Sequence, residues 1–118
     1  MTASREYLES LIAERLGGDK QRIGELFNDD SVYKALVNLD EAGSYLYYRP
    51  RTYDGWYFVV SADGYDVYYQ ERSFITYLRH FDDLKGAADH FYQISGFTTY
   101  EFTGTINEPR KWWKIWKR

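Results

Sequence analysis

Apolar residues recur every three or four positions over the first third of the chain and alternate with polar ones beyond it. Leu8, Leu11, Ile12 and Leu16 share one helical face, with Ser4 placed to cap their helix and Gly17-Gly18 to end it. Asp19 can start a second short helix carrying Ile23, Leu26 and Phe27. Asp29, Asp30 or Ser31 can cap a third, with Val32, Tyr33, Leu36, Val37 and Leu39 inside it. Gly43 breaks this pattern, so residues 1–42 form a helical region.

Residues 44–81 read as antiparallel strands. Residues 45–49 form a short aromatic strand ended by Pro50. Residues 56–62 and 65–71 flank Asp63-Gly64, a strong hairpin signal. With those two residues as the turn, Val60 faces Val67, Phe58 faces Tyr69 and Trp56 faces Glu71. Trp56, Phe58, Val60, Val67 and Tyr69 then share the core face, while Tyr57, Val59, Ser61, Asp66, Tyr68 and Gln70 share the other. Glu71, on the face of Trp56, needs Arg79 or Arg49 as a partner if it is buried. A tight turn near Arg72-Ser73 leads to a strand over residues 74–81.

Asp82 or Asp83 can cap a helix over residues 82–95, with Leu84, Ala87, Ala88 and Phe91 on one face. Gly96 ends it, and residues 97–106 alternate as a last strand carrying Tyr100, Phe102 and Ile106 on one face. Residues 107–118 form a basic, tryptophan-rich tail. The expected fold is a single α+β domain over residues 1–118: N-terminal helices packed against an antiparallel β-sheet meander, with one late helix.

Nine of the thirteen tyrosines fall between Tyr45 and Tyr77, more aromatic surface than one sheet face buries. A surface tyrosine offers a rigid ring and a hydroxyl, which suits a protein interface. The net charge of −3 hides an asymmetry, because residues 110–118 carry five basic groups and no acid. The rest of the chain has 10 basic and 18 acidic residues, a charge of −8. Such a body repels nucleic-acid phosphate and attracts basic proteins, although an acidic surface also serves solubility alone. The absence of cysteine fits a reducing cytoplasm and removes disulfides and thiolate metal sites. Residues 1–8 hold no apolar signal-peptide core, and no run of residues approaches the length of a membrane span.

No catalytic, cofactor-binding or metal motif accompanies the tyrosines. His80 and His90, with Asp82, Asp83 and Asp89 nearby, match no ligand spacing, and the two adjacent acids suit helix capping. Gly17-Gly18 lacks the residues of a phosphate cradle. Trp112, Trp113 and Trp116 with their lysines have the composition of an interfacial membrane helix or an aromatic nucleic-acid clamp, but the preferred reading packs them back on the acidic body. The open sheet face is the better candidate for partner contact: Tyr57, Asp66, Tyr68 and Gln70, with Tyr53 and Asp54 in the preceding loop. The simpler account of that face is a second core surface, because alternation does not say which face the helices cover.

The segment from Gly64 to Ser73, GYDVYYQERS, resembles the small immunity proteins of bacterial polymorphic-toxin and contact-dependent inhibition systems. Several of those families run an aromatic strand into a Glu-Arg-Gly turn, then a strand, then a short helix introduced by Asp. Here the turn reads Glu71-Arg72-Ser73, with serine replacing glycine, and the helix runs from Asp82 to Ile94. Tyr100-Glu101 in the following strand adds to the likeness, which covers roughly residues 56–102. The resemblance implies a cytoplasmic, non-enzymatic protein without cofactors that binds a cognate toxin domain and occludes its active site. Many such toxins are nucleases with a basic cleft, which an acidic partner complements. Two other classes remain open: a small-ligand protein or enzyme with a pocket near His80 and His90, and a peripheral membrane or scaffold protein acting through its tail.

Overall fold

Helix α1 spans Ala3–Leu16 and buries Leu8, Leu11, Ile12 and Leu16, the face their spacing predicts. The computed structural model to which it belongs describes residues 2–98. The cap position of α1 is Thr2 rather than Ser4, which lies buried inside the first turn. Gly17 closes the helix with a left-handed φ of 63°, and the Gly18 N–H donates to the Ile12 carbonyl at 3.0 Å. The Asp19 carboxylate then accepts the Gln21 N–H and opens a 3-10 helix, Lys20–Asn28, that buries Ile23, Leu26 and Phe27. Asp29 does the same for Ser31 and starts helix α2, Asp30–Asn38, which buries Val32, Tyr33 and Leu36.

The four strands lie side by side in chain order: β1 (Leu46–Tyr47), β2 (Gly55–Ser61), β3 (Gly64–Glu71) and β4 (Phe74–Phe81). The β2–β3–β4 meander is antiparallel, but β1 pairs with β2 in parallel, so the sheet is mixed. The loop after β1 carries the chain back to the start of β2 instead of reversing it in a hairpin. Asp40 holds that return: its buried carboxylate accepts the Tyr48 N–H at 2.9 Å and Arg51 Nε at 2.7 Å.

The β2–β3 register differs from expectation by one step on the second strand's turn. Ala62-Asp63 form the turn, and Ser61 pairs with Gly64. Phe58 therefore faces Val67, and Trp56 faces Tyr69. The reason lies in β4. A Cβ on Gly64 would collide with the Phe81 carbonyl oxygen, so glycine serves the close approach of a neighbouring strand rather than the turn. Pairing partners move by two residues, which preserves the division into two faces.

Arg72 and Ser73 both take positive φ, 52° and 74°, and Glu71 pairs with Phe74, as in a two-residue hairpin turn of the left-handed type. Farther along, β4 carries one extra residue against β3 between the Val67–Arg79 and Tyr69–Thr76 pairs. Tyr77 sits in this bulge with φ 55°. Helix α3, Leu84–Ile94, is capped by Asp83, whose carboxylate accepts the Gly86 N–H at 2.7 Å.

The helices cover the face carrying Phe58 and Val67. Phe58 is the centre of this core, with ring centroids 4.8 Å from Tyr33 and 5.1 Å from Phe91. The Tyr33 hydroxyl donates to the Phe58 carbonyl at 2.8 Å. Val60, expected in the core, is instead 64% exposed, in an open cleft between Tyr33, Lys34 and Val37 of α2 and Leu84 of α3. Glu71 is exposed as well, so it requires no buried partner. The expected strand over residues 97–106, from residue 99 onward, and the tail over residues 107–118 lie outside the described residues, as do Tyr100-Glu101.

Candidate protein-binding surface

The six residues expected to meet a partner divide in the structure. Tyr57, Tyr68 and Gln70 are buried. Tyr57 stacks on Tyr68 with centroids 5.0 Å apart and planes within 5°, and its other side meets Tyr47 at 5.1 Å. The Tyr57 hydroxyl donates to the Tyr53 carbonyl at 2.6 Å, and Gln70 Nε2 donates to the Arg51 carbonyl at 2.8 Å. These bonds fasten the 50–54 loop to the sheet. With Val59, the three tyrosines make a second small core, and burial pushes the Tyr57 hydroxyl up to about 12. The open tyrosine grip is thus corrected for Tyr57, Tyr68 and Gln70: the polar atoms of Tyr57 and Gln70 are spent on holding the chain's own loop, and the Tyr68 ring is buried in its stack on Tyr57.

Tyr53 and Asp54 remain exposed, and Asp66 is half-buried. Asp54 accepts the Arg72 N–H at 2.9 Å, which ties the loop to the β3–β4 turn. Asp66 meets His80 across the strand pair, with Asp66 Oδ1 2.8 Å from His80 Nδ1. That hydrogen bond, more than any other influence, raises the pKa of His80. Ser61 Oγ lies 3.3 Å from the same nitrogen. A nucleophile relay uses the two ring nitrogens for two different partners, and here serine and aspartate compete for one. His90 sits on α3, 5.2 Å from the Phe81 ring, with burial holding its pKa below the ordinary value. His80 pairs with Asp66 on the face away from α3, so the two histidines do not converge.

The surface that does converge includes Trp56 and Tyr69, which stand on the face that alternation gives to the core. Helix α3 ends at Ile94, short of the β2–β3–β4 strand ends on its face of the sheet. There Trp56 lies 5.0 Å from Tyr69 and 5.9 Å from Tyr77, ring to ring. Phe74, Thr76, Glu71 and Arg72 extend the lining into a groove of about 720 Å³. A second lobe of about 470 Å³ continues from Trp56, Tyr69, Glu71 and Tyr77 to Ile94, Ser95 and Gly96. Phe74 is 76% exposed, Tyr77 68% and Leu78 61%. Every residue of β4 up to His80 is exposed, and β4 is an edge of the sheet among the described residues.

One signal in the sequence points to this strand. Phe74, Ile75, Tyr77 and Leu78 put apolar groups on both sides of it, which a half-buried edge does not need. The bulge then decides where Tyr77 goes. Among the described residues no group of three or more His, Asp or Glu side chains is placed to hold a metal ion. No helix among them is long and apolar enough to cross a membrane. Comparison with protein-family models, curated proteins and solved structures gives no match.

Proposed function

We propose that this chain is an immunity-type binding protein, which neutralises a cognate bacterial toxin domain by occluding its active site. The observation that carries the reading is strand β4. Seven consecutive exposed residues, Phe74 to His80, line a sheet edge and include two aromatic and two aliphatic side chains. Isolated exposed apolar residues are ordinary, but a contiguous patch on a strand that is a sheet edge among the described residues points to an interaction surface. Aromatic anchors of this kind supply most of the binding energy of protein interfaces.

The acidic balance supports a basic partner, whose approach it speeds. Such a protein acts in the cytoplasm, where a toxin reaches its target, and uses no cofactor or chemistry of its own. The contact surface is β4 and the groove beside it, with Tyr53, Asp54 and Asp66 at its margins. Co-expression with the candidate toxin domain tests the reading. Growth restored by the intact chain, and lost on Tyr77→Ala with Leu78→Ala, is expected. Growth arrest unchanged by the intact chain overturns it.

A further inference from the structure

The inner lobe of the aromatic groove combines three features that each favour a cation. The first is its rings: Trp56, Tyr69 and Tyr77 line the lobe together, with Trp56 inclined at 54° to Tyr69 and 34° to Tyr77. The second is Glu71, which lines both lobes and has no ion-pair partner among the described residues. The third is the C-terminal end of α3, which brings the negative end of the helix dipole to Ile94, Ser95 and Gly96. Ser95 Oγ, at this end, is buried without a hydrogen-bond partner among the described residues. A buried hydroxyl in that state is a spare acceptor.

Among the described residues no basic side chain lines this lobe; Arg72 lines the outer one. We infer that the lobe receives a lysine or arginine side chain of a protein partner, its charged end against Glu71 and Ser95 and its aliphatic stem along Trp56, Tyr69 and Tyr77. The groove suits this ligand better than a plain apolar one. A leucine or phenylalanine would cover the rings but would also bury the Glu71 carboxylate oxygens without donors. A guanidinium or ammonium supplies those donors while keeping its stem on apolar surface. That the cation is carried by a protein rests on the reading in the preceding subsection; the chemistry of the lobe does not.

The test uses the full chain and three small probes: N-acetyl-arginine methylamide, N-acetyl-lysine methylamide and the uncharged N-acetyl-norleucine methylamide. Binding is followed through the Trp56 indole and Tyr77 ring resonances, assigned with Trp56→Phe and Tyr77→Phe. The two cationic probes are expected to shift these signals saturably, and norleucine is not. Glu71→Gln, at an exposed position that leaves the fold intact, is expected to weaken the cationic probes by about three- to tenfold. Equal response to norleucine, or affinity unchanged by Glu71→Gln, overturns the inference. The outcomes separate from those of the functional reading. A chain that binds both cations but protects against no toxin keeps the lobe and loses the immunity role. One that protects equally well as Glu71→Gln, and ignores the probes, does the reverse.

Discussion

The hydroxyls of Tyr48 and Tyr92 meet at 2.7 Å in the middle of the core, between the loop after β1 and the late helix. Burial raises the pKa of both well above the ordinary tyrosine value, so both stay neutral and share one hydrogen bond. Removing one hydroxyl leaves the other buried and unpaired. Tyr48→Phe or Tyr92→Phe alone should cost about 1–3 kcal/mol, and the double substitution less than the sum. Urea unfolding of the four proteins gives the coupling energy; strict additivity would mean that the two hydroxyls do not depend on each other.

Gly64 and Gly43 separate crowding from backbone strain. A Cβ at Gly64 meets the Phe81 carbonyl, whereas Gly43 has φ +85° and open space around it. Gly64→Ala should lower stability by about 1–3 kcal/mol and displace the end of β4. Gly43→Ala should cost about 1 kcal/mol through φ alone, with strand amide shifts unchanged. Amide spectra of the two variants check the contrast: β4 shifts confined to Gly64→Ala are the expected result.

Tyr77 holds a left-handed backbone, at φ 55°, that a side chain rarely adopts. Its exposed ring gives back, among the described residues, the contact with Trp56. Tyr77→Gly should leave stability within about 1 kcal/mol of the parent, since relief of strain offsets the lost contact. Tyr77→Val should be the less stable of the two, because a β-branched residue fits this conformation worst. Thermal melts of both variants rank them, and the opposite order would show that the bulge is not strained.

Asp40 is the buried acid that two segments depend on, through the Tyr48 N–H and Arg51. Asp40→Ala should cost about 2–3 kcal/mol, because it leaves a buried donor unpaired and removes a charged hydrogen bond. Amide exchange should rise first at β1 and the 48–54 loop. Protection lost evenly across the whole sheet would instead point to global rather than local opening.

The two histidines should respond to pH with opposite sign. His80 has a raised pKa through Asp66, so its contribution is complete below about 6.5 and is lost as pH rises through the raised value. His90 has a lowered pKa through burial and Arg79, so it opposes folding increasingly as pH falls below about 6.5. NMR titration of the ring protons reads both. Asp66→Asn should bring His80 back toward its ordinary value and leave His90 where it is.

Much of the fold was legible because it depends on local chemistry. Asp19 caps the helix that its position predicts, Asp29 and Asp83 cap theirs from among the adjacent candidates, and Gly17 ends the first helix. The division of β2 and β3 into two faces follows from alternation and survived a changed register. The proposed binding face was not legible in the same way. Alternation placed Tyr57 and Tyr68 opposite Phe58 correctly, yet it does not register that a loop lies over them, fastened by Gln70.

The residues by themselves determined the helices, the strands and their pairs of faces, since caps, turns and periodicity act within a few positions. Only the tertiary structure decided the rest. The parallel placement of β1 depends on Asp40 reaching Arg51, and the β2–β3 turn depends on a carbonyl of β4. The groove exists because α3 stops at Ile94 while the strands beneath it continue. Its rings come from three strands, and no local pattern shows that the helix leaves them uncovered.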